Sequence, residues 1–409
     1  MIAHTEQTVS PMPVAEMMPP ALVDRLQRRA LTAGILFGIA AVIGAFIQPE
    51  QFFRSYLVGF MMWLGVALGG LALLMMQYLT KGNYGFVLRR QFEAASRTLP
   101  LNALYFVPLA VAMLTHHLYP WAIGLSAEDK LIPKFHTYMT PQGALARAVV
   151  YFLLWYIMAF QLNRWGKWQD ERDEPDMPRS NRYQKLAGPG MILYAFSITL
   201  AAVDWVMSLD NHWYSTMYGF VFIVGQGMIA MSFFIMLTNS LKDYRPVSEI
   251  MQKQYWHDLG NLMLAMVMLF AYMSFSQFLI IWSGNLPEEI EWYLKRFQHG
   301  WGVIIFLIAL LHFAVPFFFL LMKSIKRNPK TLVKIAGLMF VMRYVDLYWY
   351  TMPNFKDFAS FSPSWMDLVV PIALGGFWIA AFCRQLKQRP LYPVYDLLWP
   401  EITVQHHVH

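Results

Sequence analysis

The segment HDLGNLMLAMVMLFAYMSFSQFLIIWSG, residues 257–284, is a long apolar run that contains one acidic residue, Asp258, and no lysine or arginine. An α-helix needs about 20 mostly apolar residues to cross the hydrocarbon core of a bilayer. Residues 257–284 therefore predict a transmembrane helix. Runs of the same kind recur along the chain, and the predicted spans cover roughly 30–48, 54–80, 98–119, 144–166, 187–208, 214–240, 257–284, 298–322, 331–352 and 365–386.

The composition of the whole chain agrees with a membrane protein. Hydrophobic residues make up 57% of the 409 residues and charged residues 14%, whereas a soluble domain carries about 25% charged residues. The mean hydropathy is +0.39. We therefore predict an all-α integral membrane protein of about ten transmembrane helices, with lipids around it.

The distribution of lysine and arginine predicts the orientation of these helices. Most of the 32 basic residues lie in the N-terminal tail, in the loops on that side of the predicted membrane and in the C-terminal tail. Loops rich in lysine and arginine stay in the cytoplasm. The prediction is a cytoplasmic N-terminal tail (1–29), a transmembrane domain (30–386) and a cytoplasmic C-terminal tail (387–409). Orientation also explains the net charge of +7, so no nucleic-acid partner is predicted.

The sequence contains no motif of a soluble enzyme and few ligands for a redox centre. Cys383 is the single cysteine, so an iron–sulfur cluster or a zinc ribbon has too few ligands. The sequence also lacks C-x-x-C-H, H-E-x-x-H, the P-loop and the nucleophile elbow. No catalytic or metal-binding residue is predicted, and any redox centre is expected in a partner or in a diffusible molecule.

Ionisable residues inside the predicted spans are candidate functional residues, because charges at bilayer depth are costly and by default mark functional pathways. Asp204 lies in the fifth span, in AAVDWVMSLD, and Arg343 and Asp346 lie in the ninth, in VMRYVDLYWY. The three-residue spacing of Arg343 and Asp346 lets them form an ion pair. A proton relay and a purely structural pairing both fit these patterns.

His312 lies in the middle of the eighth span, in LLHFAVP, four residues before Pro316. The proline lacks the N–H that would bond the carbonyl of residue 312. Histidine takes up and releases protons near neutral pH. His312 is therefore a candidate proton carrier, with a hydrogen-bonded core histidine as the alternative.

The seventh span carries polar residues that share one helical face from its cytoplasmic end almost to its outer end. These residues are Asp258, Asn261, Tyr272, Ser276 and Ser283. Such a stripe either carries a chain of water molecules or bonds neighbouring helices. The predicted proton pathway consists of Asp204, His312, Arg343, Asp346, Asp258, Tyr272 and Ser276.

A second group of polar residues is predicted near the outer face. His116 and His117 end the third span, Arg147 begins the fourth, and His299 lies at the outer end of the eighth. Together with Asp204 they form an outer-side polar cluster if the helices bring them together.

Several long segments resemble a known family. They are GPGMILYAFSITLAAVDWVMSLDNHWYSTMYGFVF, residues 188–222, and WHDLGNLMLAMVMLFAYMSFSQFLIIWSGNLPEEIEWY, residues 256–293, followed by FQHGWG and MRYVDLYWYTMPNF. Over roughly residues 30–390 the chain resembles the ActF subunits of bacterial alternative complex III. These subunits are related to the NrfD/polysulfide reductase membrane proteins.

The resemblance implies a fold, a function and a set of partners. The fold is two four-helix bundles plus two further helices, in the bacterial cytoplasmic (inner) membrane. The function is that of a membrane subunit in a quinol:cytochrome c (or cupredoxin) oxidoreductase. The implied partners are an ActC-like membrane subunit, an iron–sulfur subunit, and pentahaem and monohaem cytochrome c subunits. Haem c and iron–sulfur clusters would be bound by those partners and not by this chain.

Within such a complex, the resemblance places the better-supported quinol site in ActC, at the periplasmic end of a bundle. For this chain it suggests proton conduction or complex assembly, and a quinol site is the less favoured alternative. Two other functions stay open from the residues themselves: a secondary transporter working alone, and a purely structural scaffold. Transporters tend to have internal repeats and helices broken at matched positions, and the isolated breakers Pro316 and Pro371 do not form such a pair.

Overall fold

The computed structural model describes residues 14–124, 129–171, 180–355 and 360–393, and these ranges are helical without a strand. The main helices are α1 (Ala21–Ile47), α2 (Pro49–Thr80), α3 (Asn83–Ser96), α4 (Leu99–Leu114), α5 (Pro141–Asp170), α6 (Ser180–Trp205), α7 (Tyr218–Leu241), α8 (Lys253–Gly284), α9 (Pro287–Phe297), α10 (Trp301–Leu321), α11 (Pro329–Thr351) and α12 (Met366–Leu386). Short helical turns are Val14–Met17, Pro120–Ile123, Asp129–Leu131, Lys134–Thr137, Met207–Leu209, Val247–Ile250, Lys323–Arg327 and Met352–Asn354. Residues 1–13 and 394–409 of the predicted tails lie outside the described ranges.

The described helices have the lengths and compositions of a multi-pass membrane protein. Eight are long and apolar enough to cross a membrane, and α3 with α4, bent by 41°, would add a ninth as one broken span. The helix α11 matches the ninth predicted span, but Arg343 and Asp346 lower its hydropathy. The all-α membrane class is confirmed, while the count of ten spans and the cytoplasmic termini stay predictions.

The helices pack in two groups of four. The first group is α2, α4, α5 and α6, and the second is α7, α8, α10 and α11. The helix α7 contacts both α2 and α6, so the two groups share one core. The helices α1 and α12 pack against each other, and α12 also packs against α2.

Glycine residues let the backbones of α1 and α12 approach closely. A Cβ atom on Gly376 would lie 2.4 Å from the backbone nitrogen of Gly34, and small residues at such contacts are typical of membrane helices. The Nζ atom of Lys387 donates to Oδ1 of Asp24 at 2.6 Å. This pair places the start of α1 beside the end of α12, and we call this the terminal side and the other the opposite side.

Residues 83–96, which the sequence pattern assigned to a loop, form the largely buried helix α3. Arg90 donates from Nη1 to Oε2 of Glu93 at 2.7 Å and pairs with Asp170. Arg389 also donates to Oε2 of Glu93, at 2.9 Å. These charges are buried because they are paired, and a count of basic residues along the chain does not reveal the pairing.

Candidate functional site

Asp204, near the end of α6, is held by two residues of α5. Arg147 donates from Nε to Oδ2 of Asp204 at 2.8 Å and from Nη2 to Oδ1 at 3.0 Å, and the hydroxyl of Tyr151 donates to Oδ2 at 2.9 Å. The Asp204 side chain is 1% exposed, whereas that of Arg147 is 23% exposed. The arrangement is a bidentate ion pair in which the carboxylate is buried and the guanidinium is partly exposed.

Tyr138, in the loop before α5, covers Arg147. The Cζ atom of Arg147 lies 3.8 Å from the centroid of the Tyr138 ring, and Nη1 donates to the Tyr138 carbonyl at 2.9 Å. Burial and the negative charge of Asp204 raise the pKa of Tyr138 to about 12, so its hydroxyl carries its proton at neutral pH. Asp204 therefore has phenol and guanidinium groups around it, the kinds of group through which proton relays run in membranes.

The second buried pair, Arg343 and Asp346, lies on α11. The two side chains form an ion pair and are 2% and 3% exposed, so they pair as their spacing predicts. The Cζ atom of Arg343 lies 5.4 Å from the ring centroid of Phe222 and 5.6 Å from that of Phe270. A Cβ atom on Gly225 would come within 2.2 Å of Cζ of Arg343. This glycine of α7 therefore provides the space that the guanidinium occupies.

His312 lies halfway along α10, in its π-helical part, Ile308–Ala314. The residue is 1% exposed, and neither ring nitrogen has a hydrogen-bond partner among the described residues. Its ring centroid is 4.8 Å from that of Phe270. Both interpretations of His312, as a proton carrier and as a core histidine, stay predictions. Both His312 and Asp346 line one cavity of about 620 Å³.

Arg296 of α9 binds the end of α11 on the opposite side. It is fully buried and donates to the carbonyls of Trp349 and Tyr350, at 3.3 and 3.1 Å, and to Oδ1 of Asn354, at 2.8 Å. Burial lowers the pKa of Arg296 to about 10, so the group is charged at neutral pH. Its positive charge lies against the free carbonyls at the C-terminal end of α11, where the helix dipole is negative.

The stripe predicted on α8 does not form a continuous file of polar groups. Asp258 is half-buried near the terminal side, where Asn261 accepts a hydrogen bond from Nζ of Lys326 at 2.6 Å. Tyr272 is 64% exposed, and Ser276 is half-buried. Residues 262–271 between these two parts are apolar. The structure therefore does not bring Asp258 together with Tyr272 and Ser276.

Of the predicted outer-side cluster, the structure brings Arg147 and Asp204 together. His116 and His117 follow the end of α4 and are exposed. His299 is exposed in the turn before α10. The three histidines therefore lie at the surface, away from the bidentate contact between Arg147 and Asp204.

Sequence reasoning missed Tyr151, Gly225 and Arg296. Tyr151 lies four residues after Arg147, so their shared helical face was a usable signal. Gly225 gives no signal by itself, because the side chain that it accommodates belongs to another helix. The apolar runs place Arg296 in a loop, although the segment PEEIEWYLKRF has acidic residues at its start and basic residues at its end, a pattern that favours a helix.

No known family model matches the chain, and no curated protein matches it at a significant level. The resemblance carried by residues 188–222 and 256–293 therefore stays a prediction. The geometry of the two ion pairs and of His312 is independent of that resemblance.

Proposed function

We propose that this chain is a membrane subunit of a quinol:cytochrome c (or cupredoxin) oxidoreductase and contributes a proton pathway and complex assembly. The observation that supports the proposal is a buried ion pair in each group of four helices, Arg147–Asp204 and Arg343–Asp346. Ionisable groups inside a membrane are costly, and in known membrane proteins they mark ion and proton pathways.

On the opposite side, the proposed pathway begins at Arg147, whose side chain is 23% exposed. Tyr350 follows Asp346 by one turn of α11, and the ring of Tyr218 packs edge-on against it with centroids 5.4 Å apart. Towards the terminal side, residues 313–322 after His312 are apolar and span about 15 Å. His312 thus lies where the polar groups of the proposed pathway end and this apolar stretch begins. Protons from the terminal side would cross the apolar stretch through transient water.

The proposed partners follow from the resemblance. An ActC-like membrane subunit, an iron–sulfur subunit and the two cytochrome c subunits would carry the redox centres and the quinol chemistry. This chain would couple proton movement to that chemistry in the bacterial inner membrane. The exposed apolar faces of its helices, such as those with Phe46 and Phe196, would contact lipid or the membrane partner.

Replacing Asp204 by asparagine tests the proton pathway. The amide keeps the size of the carboxylate but cannot carry a proton, so we expect an assembled complex whose quinol-driven proton translocation falls about tenfold. The measurement is the pH change outside sealed vesicles per quinol oxidised. Glu291→Gln, an exposed carboxylate of α9, is the matched control and should keep the normal ratio.

A second variant distinguishes a proton relay at Asp204 from a purely structural role of the Arg147–Asp204 pair. Because Asp204→Asn leaves Arg147 without a full counter-charge, a complex that fails to assemble would be examined further with Tyr151→Phe. That variant keeps the ion pair and removes one hydroxyl beside it. Normal proton translocation in fully assembled Asp204→Asn complex would contradict a relay at this position.

A further inference from the structure

A groove lies on the terminal side, between the start of α1 and the end of α12. Its volume is about 580 Å³, and three basic side chains line it, Arg25, Arg28 and Lys387. Asp24, the acidic residue of this lining, is the ion-pair partner of Lys387. Arg25 and Arg28 are exposed, and neither has an ion-pair partner among the described residues. The two arginines therefore give the groove an uncompensated positive charge.

Exposed apolar side chains continue from the groove along one face of α1. They follow Arg28 in steps of three or four residues, which keep to one side of a helix. The apolar residues of this face are Leu31, Ile35, Ile39, Val42 and Phe46, and they are 41–86% exposed. The face from Leu31 to Phe46 is about 22 Å long. A ligand that lies along it meets cations at one end and an apolar surface along the rest of its length.

The spacing of the two arginines suits one phosphate group. Arg25 and Arg28 are three residues apart, so their side chains begin as neighbours on the surface of α1. A guanidinium group binds phosphate oxygens through two parallel hydrogen bonds. Gln27, in the same lining, offers an amide group to other polar atoms of a ligand. The polar end of the groove therefore matches a phosphate ester.

The charge and the apolar face together restrict the class of ligand. Free phosphate matches the arginines but leaves the apolar face uncovered. A zwitterionic phospholipid covers that face, but its ammonium group would lie near the cations of the groove. An anionic phospholipid brings the phosphate and the acyl chains without an added cation. Basic residues next to a membrane span attract such lipids, and Arg28 lies two residues before the predicted span 30–48.

We propose that this groove binds one anionic phospholipid. Its phosphate lies between Arg25 and Arg28, and one acyl chain lies along the apolar face of α1 that begins at Leu31. The headgroup also meets Lys387, so the lipid joins α1 to α12 on the terminal side. The proposal does not rest on the proposed function, because neither the proton pathway nor the partner subunits enter it.

Native mass spectrometry of the purified full-length chain in detergent tests this site. Dioleoyl-phosphatidylglycerol is the anionic probe, and dioleoyl-phosphatidylcholine is the zwitterionic one. We expect one saturable phosphatidylglycerol per chain and much weaker binding of phosphatidylcholine. The double variant Arg25→Gln, Arg28→Gln should raise the Kd for phosphatidylglycerol about thirtyfold, as expected for the loss of two basic residues at a membrane surface.

A matched control separates this groove from a general attraction to basic residues. The double variant Lys323→Gln, Arg327→Gln also removes two exposed charges on the terminal side and should leave the affinity unchanged. The variant Arg25→Lys, Arg28→Lys keeps both charges and should retain most of the binding. An unchanged thermal unfolding midpoint before lipid is added shows that each variant is folded.

Four results would overturn the proposal. Two concern the variants: equal affinity of the wild type and of Arg25→Gln, Arg28→Gln, or an equal loss of affinity in the control. The third is equal binding of phosphatidylcholine and phosphatidylglycerol. The fourth is release of bound phosphatidylglycerol by inorganic phosphate at an equal concentration, which would show a site for free phosphate and not for a lipid.

Discussion

Single residues in this protein show several ways of compensating a buried charge. Asp204 receives hydrogen bonds from Arg147 and Tyr151, whereas Arg343 is matched by Asp346 one turn further along α11. Arg296 has its charge against the carbonyl groups at the end of α11. A buried ion pair adds little net stability, but removing one partner leaves an uncompensated charge.

Arg343→Leu is therefore expected to destabilise the protein strongly, because Asp346 would stay buried without its counter-charge. In soluble proteins the loss of one partner from a buried pair costs about 3–5 kcal/mol. The measurement is the thermal unfolding midpoint in detergent, followed by size-exclusion chromatography. Lys295→Leu is the control, since Lys295 and Glu291 form an exposed pair and such pairs contribute about 0–1 kcal/mol.

The double variant Arg343→Leu, Asp346→Leu distinguishes the roles of this pair. If the pair is structural, removing both charges should restore most of the lost stability and leave proton translocation intact. The proposed pathway predicts recovered stability with impaired translocation. Recovery of both would contradict a relay role for Asp346.

The spacing of residues predicted local pairs but not contacts between helices. Arg343 and Asp346 are three residues apart, so one helical turn joins them. Arg147 and Asp204 are 57 residues apart, and their contact depends on how α5 packs against α6. Gly225 is the clearest example, because its importance lies in the guanidinium of another helix.

At the level of helices, α1 depends on α12 for its position. Its apolar surface is largely exposed, and its contact with α12 runs along small residues such as Gly34, Gly376 and Ala30. A Cβ atom at Gly376 would lie 2.4 Å from the backbone of Gly34 and 2.6 Å from the carbonyl of Ala30. Backbone atoms cannot move aside as a flexible side chain can, so this contact tolerates no added volume.

Gly376→Ala should accordingly separate α1 from α12 and lower the thermal unfolding midpoint by several degrees. Limited proteolysis after the N-terminal tail should become faster in the same variant. Gly188→Ala in α6 is the control, because no atom lies within 4 Å of the added methyl group. An unchanged midpoint and cleavage rate for Gly376→Ala would show that α1 does not need this close approach.

Apolar runs predicted the long helices well, because a bilayer span needs length and hydropathy and little else. The helices α3 and α9 were missed for the opposite reason. Both carry buried charged residues whose partners are far away in the sequence. Asp170 and Arg389 pair with α3, and carbonyl groups of α11 bind Arg296 of α9. A charge-rich segment next to a membrane span is therefore predicted to be a loop, even where it forms a helix that packs against the others.

For the whole molecule, the arrangement of charges predicts which side faces the cytoplasm. Lys330 lies on the terminal side and Glu291 on the opposite side, and both are exposed. In a Cys383→Ala background, Glu291→Cys should react with a membrane-impermeant maleimide in intact cells, and Lys330→Cys should react only after permeabilisation. The buried native Cys383 is removed so that each variant has one thiol. The reverse labelling pattern would place the termini outside the cytoplasm.

The most direct test of the proposed function is to ask what this chain binds in its own membrane. The tagged chain is purified in a mild detergent from its native cells, and its partners are analysed by mass spectrometry and by a haem absorption spectrum. The proposal predicts co-purifying c-type cytochromes, an iron–sulfur subunit and a second membrane subunit in fixed ratio. A chain that purifies alone, or only with a substrate-binding protein, would contradict the proposal and favour a transporter.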